Sequence, residues 1–109
     1  MSWLLRDGEV LASLEVADTR RARRRGLLGR DGIDGAMLLV PARSVHSLGM
    51  RFALDVAWCD RDLMVLRVVR LRRHRMTRPV ARSHAVLEAE AGSFARWNLV
   101  VGDRLELQD

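Results

Sequence analysis

Residues 43–58, RSVHSLGMRFALDVAW, form a mostly apolar run that holds one histidine, one arginine and one aspartate. This run limits the fold more than any other feature, because its alternation predicts an extended segment with two unlike faces. Side chains on a strand point to opposite sides in turn. His46, Leu48, Met50, Phe52, Leu54, Val56 and Trp58 therefore share a face that reads as core, and Ser47, Gly49, Arg51, Ala53, Asp55 and Ala57 share the other. CDRDL, residues 59–63, then reads as a turn around Asp60–Asp62, and LMVLRVVRLR returns as the second strand of a hairpin. Arg51 and Asp55 stand four residues apart, roughly 13 Å at strand spacing, so each is expected to find partners on neighbouring strands or loops. A bulge at Gly49 would reverse the parity and bring His46 to the face of Arg51 and Asp55.

The rest of the chain repeats this scale of element. WLLRDGEVLASLEVA, residues 3–17, reads as a hairpin turning at Asp7-Gly8, with Val10, Ala12, Leu14 and Val16 on one face. Asp-Gly supplies the positive φ angles that a tight turn between right-twisted strands needs. At Asp18-Thr19 the period changes: either residue can cap a helix start, and TRRARRRGLLGR follows, with Gly29 placed to end it. AMLLVP and AVLEAEAG read as strands, SFARW as one helical turn, and VVGDRLEL as a closing turn and strand. Six to eight short strands with little helix predict a mainly β fold, a small sandwich or barrel, with one helix near residues 19–28 and a helical turn near 93–97.

At 109 residues and 49% hydrophobic content the chain is expected to form a single domain, 1–109, with a core that needs no cross-links. A lone cysteine, Cys59, cannot make an internal disulfide or a multi-cysteine zinc site. The N-terminus lacks the basic and apolar regions of a signal peptide, and no run approaches the ~18 apolar residues of a membrane span. A soluble, cytoplasmic protein is the expectation. All 19 basic residues are arginine and the net charge is +5. That balance speaks to solubility and non-specific binding, and the plainest reading is arginine standing at surface positions that lysine fills elsewhere.

The ordered motifs are similar to a known family. Ala17, Asp18, Thr19, Arg23, Gly26, Leu27, Gly29 and Arg30 fit the pattern Ala-Asp-Thr, three residues, Arg, two residues, Gly-Leu-Met-Gly-Arg, with Leu28 in place of methionine. GAMLLV, ALDVAW, VLEAEAG and VVGDRL resemble its later segments, so the likeness spans roughly residues 10–107. The family is domain of unknown function 192. Many members carry Phe-Trp-Met-Lys-Asn-Thr before the Leu-Asp pair, whereas VHSLGM here is closer to a variant with histidine. The resemblance implies a compact, jelly-roll-like β fold and carries no activity with it.

Two forms of the 43–58 constellation follow. In one, Asp55 accepts hydrogen bonds from a turn or from Arg23, and His46 is a satisfied core residue. In the other, His46, Ser47, Arg51 and Asp55, with Arg23 and Arg30, form a shallow polar site for a small anionic or polar ligand, arginine being suited to bidentate capture of carboxylate or phosphate. A non-enzymatic binding or accessory module is the leading expectation, with no cofactor, metal or catalytic residue. An acidic protein surface is a further candidate partner. The alternative function is binding of nucleic acid or an anionic surface through Arg67, Arg70, Arg72, Arg73, Arg75, Arg78 and Arg82, which lie in a stretch, Leu63–Leu87, without an acidic residue. Phosphates attract such a patch, although no aromatic residue stands within it to stack on bases. A hydrolase built from Ser47, His84 and Asp55, or a metal site from His46, Met50 and Cys59, is the reading with least behind it, since no nucleophile elbow surrounds Ser47.

Overall fold

A computed structural model of the chain describes residues 2–109. Seven strands, β1 (Ser2–Arg6), β2 (Glu9–Ala17), β3 (Ala36–Leu39), β4 (Leu54–Cys59), β5 (Val65–Leu71), β6 (Ala85–Glu90) and β7 (Leu105–Gln108), join two short helices, α1 (Arg20–Arg25) and α2 (Ser93–Trp97). The strands form one sheet in the order β5-β4-β6-β3-β2-β1-β7, curled into a half-barrel. The mainly β architecture is as expected, and the sheet is single and curled where a two-sheet sandwich would be split. At one end the curl draws its outer strands together: Val65 donates to the Asp103 carbonyl at 2.8 Å, and Leu105 to that of Leu63 at 2.9 Å.

Local chemistry accounts for the turns. Asp7 and Gly8 have φ of 51° and 78°, the left-handed pair that the β1–β2 hairpin requires. Between the pairs Leu4↔Ala12 and Leu5↔Val10 the register shifts, leaving Leu11 as an extra residue. That bulge turns Val10 out to solvent, so the expected common face of Val10, Ala12, Leu14 and Val16 does not form, and only Leu14 of the four is buried. In the β4–β5 hairpin the Asp60 carboxylate accepts from the backbone N–H groups of Asp62 and Met64, both at 2.9 Å.

Two expectations are corrected. Thr19 caps α1 as anticipated, its hydroxyl accepting from Ala22 N–H at 3.0 Å, but the helix ends at Arg25, short of residue 28. Gly26, at φ 49°, turns the chain there, ahead of Gly29. The run 43–58 is also not one strand: only Leu54–Cys59 is extended, and the part before it is an irregular loop with a single bridge, His46↔Met76. Ser47 and Gly49 break it. Ser47 N–H donates to the Arg75 carbonyl at 2.7 Å while its own carbonyl accepts from Met50 and His74, and Gly49 turns with φ 76°. Parity is lost across that turn, so His46 and Leu48 are exposed while Met50, Leu54, Val56 and Trp58 remain buried.

Both faces of the central strands are covered. Inside the curl, Leu4, Leu14, Leu38, Cys59, Leu87 and Leu105 pack around Phe94 and Leu99 from the α2 region. Outside it, Met37, Leu39, Leu54, Val56, Trp58 and Val86 pack under Leu27, Ile33 and Met50, which the loops on either side of β3 lay over the sheet. Each such aliphatic side chain contributes about 1.5–3 kcal/mol when fully buried. Since β2 pairs with β3 in parallel, the chain must cross over between them, and this crossover carries α1 to the outer face.

Candidate functional site

The two acidic side chains buried in the central strands have opposite surroundings. Asp55, on β4, is 5% exposed. One carboxylate oxygen accepts from Gly92 N–H at 2.9 Å and Phe94 N–H at 3.0 Å, and the other from Arg70 Nε at 3.3 Å. It holds the start of α2, whose own preceding residue, Gly92, has no side chain with which to cap. The turn that Asp55 binds is therefore the one following β6, and Arg23 is not its partner.

Glu88, on β6, faces the outer side beside Met37 and Val56, its cross-strand neighbours. It is 3% exposed, and its Oε1 is buried without a hydrogen-bond partner. Burial pushes its carboxyl up to about 7. Gly26 lies directly above: a Cβ there would sit 3.6 Å from Oε1. Glu88 forms part of a cavity of about 160 Å³ between the end of α1 and the loop before β4, lined also by Arg23, Arg24, Arg25, Ser44, His46 and Met50.

Two of the six residues predicted for a ligand site, Arg23 and His46, line that cavity. Arg23 is half-buried, and its guanidinium donates to the carbonyls of Asp18 and Val40, each at 3.1 Å. It thereby ties α1 to the end of β3. His46 is exposed, and its Nδ1 accepts from Leu48 N–H at 3.2 Å. Ser47 is fully buried just behind. Its hydroxyl donates to the Arg72 carbonyl and accepts from Arg75 N–H at 2.9 Å, bracing the loop against residues 72–75. The other three stand elsewhere. Arg30 forms a two-bonded pair with Glu15, at 2.6 and 2.9 Å, which lowers the Glu15 carboxyl and raises the arginine. Arg51, 60% exposed, pairs with Asp31 at 2.9 Å, and Asp55 serves α2.

Sequence reasoning missed Glu88, which reads as an ordinary outward residue in an alternating strand. The available signal is that its parity is shared with Val86, in a segment whose other parity is wholly apolar.

Neither considered enzyme constellation assembles. Cys59 packs inside the curl and Met50 outside it. Burial, with Asp60 nearby, pushes the Cys59 thiol up to about 12, leaving it inert as a nucleophile. Ser47 is engaged by residues 72–75, while His84 lines a separate depression with Asp60 and Asp62. The seven arginines of the basic segment are all exposed. Arg67 lies over the Trp58 ring at 5.8 Å and Arg70 is held by Asp55. Among the described residues no helix is long and apolar enough to cross a membrane.

The chain is thus a single curled, mainly β sheet with a buried acid beneath an arginine-rich crossover. The chain belongs to the DUF192 family (Uncharacterized ACR), which it matches over residues 3–107. A protein of unknown function from Novosphingobium aromaticivorans DSM 12444 has a similar structure, with a TM-score of 0.78, 20% identity, and coverage of 96% of this chain and 82% of that one. A second, from Sinorhizobium meliloti 1021 and provisionally described as a transcription regulator, has a TM-score of 0.80, 21% identity, and coverage of 96% and 90%. At such identities the likeness concerns the fold alone. No curated protein matches the sequence.

Proposed function

We propose that this chain is a non-enzymatic binding module that takes a small polar or anionic ligand in the cavity between α1 and the 44–50 loop. The observation behind this reading is the orphaned Oε1 of Glu88. A buried polar atom without a partner costs about 1–3 kcal/mol, so its retention calls for a compensating role, and a bound molecule is one that supplies the missing partner. Binding is favoured over catalysis by the hydrogen bonds around it. Ser44, His46 and Glu88 share the cavity but are not bonded to one another, and His46 Nδ1 accepts from the backbone. An imidazole that activates a nucleophile instead donates from Nδ1 to an acid.

The test is an amide NMR titration with a panel of small carboxylates, amino acids and phosphate esters. Shifts centred on Gly26, Leu27 and His46 are expected, and Ser44→Trp, which places an indole at the cavity rim, should abolish them. Shifts scattered over the surface arginines, or none at millimolar ligand, would overturn the reading. A second reading, a phosphate-binding face along Arg67–Arg82, is supported by the exposure of all seven arginines. It requires duplex binding that falls steeply with salt.

A further inference from the structure

Resting on the reading of this cavity as a binding site, we infer that its ligand is a short-chain amino acid whose ammonium and carboxylate lie at opposite ends. Three kinds of side chain line the cavity. One is the Glu88 carboxyl, 3% exposed, with Oε1 unpartnered. The second is apolar: Leu27, Leu39 and Met50, all buried. The third is cationic: Arg24 and Arg25, both exposed and neither in a salt bridge among the described residues, with exposed His46 on the facing loop.

The acid does not pair with these arginines. No salt bridge among the described residues includes Glu88, and Arg23 is spent on two backbone carbonyls. Acid and cations thus share one cavity with apolar walls without pairing, an arrangement that a single ion of either sign leaves half unsatisfied. A molecule carrying a donor at one end and an anion at the other, joined by a few methylenes, meets all three kinds of lining. The anion gains charge-assisted bonds from guanidinium groups. The ammonium, an acceptor-free donor group, meets a carboxylate that has lone pairs and no donor.

The charged or titratable groups lining the cavity are Arg23, Arg24 and Arg25 from α1 and its end, and His46 from the loop. The strands beside Glu88 contribute only Met37 and Val56 at its register.

The experiment compares β-alanine, 4-aminobutanoate, propionate, propylamine and succinate by NMR titration on the unmodified protein at pH 8. At least one of the two amino acids should bind at least about tenfold more tightly than propionate and propylamine. Glu88→Gln should erase that advantage while leaving propionate unchanged, and the double substitution Arg24→Ser with Arg25→Ser should weaken amino acid and propionate alike. Succinate or propionate binding as tightly as the better amino acid would overturn the inference, because Glu88 would then act as a protonated donor to an anion. Propylamine binding as tightly would also overturn it, since the arginines would take no part. These outcomes leave the cavity a binding site, whereas a cavity that takes none of the five removes both the inference and, if the wider panel also fails, the reading beneath it.

Discussion

Asp55 and Glu88 sit on adjacent antiparallel strands, one register step apart, on opposite faces of the same sheet. Each is almost completely buried. Asp55 meets two backbone N–H groups and a guanidinium; Glu88 Oε1 meets nothing. What differs is the segment folded over each. The α2 turn arrives at Asp55 with its unsatisfied N–H groups first, and an acid is what such a terminus lacks. The crossover arrives at Glu88 with Gly26, aliphatic side chains and an Arg23 guanidinium that bonds to backbone carbonyls instead. At equal burial, the covering segment alone leaves one acid bonded into the framework and the other with an oxygen that has no partner.

Three measurements would break or sharpen that contrast. The largest effect is expected at Asp55. Asp55→Ala strands the N–H groups of Gly92 and Phe94 and should cost about 4 kcal/mol in denaturant unfolding, at about 1–3 kcal/mol for each buried unsatisfied group. A loss below about 1 kcal/mol, on the scale of an exposed ion pair, would show that α2 does not depend on this cap.

Glu88 should act with the opposite sign. Its folded-state pKa is raised from 4.5 to about 7, so between those values the folded protein holds a proton that the unfolded chain has released. Stability then falls as pH rises through that window, by roughly 3 kcal/mol in all, and the penalty is complete above it. Glu88→Gln should flatten this slope and be the more stable protein at pH 8. A wild-type stability that rises across the window would show that Glu88 is already paired.

The smallest effect is expected at the exposed pair Arg51–Asp31, where Arg51→Ala should cost under about 1 kcal/mol. A greater loss would mean that Arg51 supports the loop more than its exposure suggests.

Much of the fold was legible in the sequence because it rests on near neighbours. Asp7-Gly8 can bend, Thr19 can cap, Asp60 can bond within its own turn, and apolar alternation marks the strands. The site was legible only in part. Arg23 and His46 are found at the cavity, but Arg51 pairs with Asp31, twenty residues back, and Asp55 with Gly92 and Phe94, nearly forty ahead. Strand parity does give the side of the sheet on which a carboxyl stands. It cannot give what covers that side, and the turn at Ser47–Gly49 shows that parity itself fails once a loop is held by distant backbone.

The sequence by itself determined a chain of short strands with one helix and a helical turn, since turn residues and alternation act over a few bonds. Only the tertiary structure decided that Asp55 would be satisfied and that Glu88, lining a cavity, would keep an oxygen without a partner. A buried charge is defined by the groups that desolvate it and those that bond to it, and here both come from segments far away along the chain.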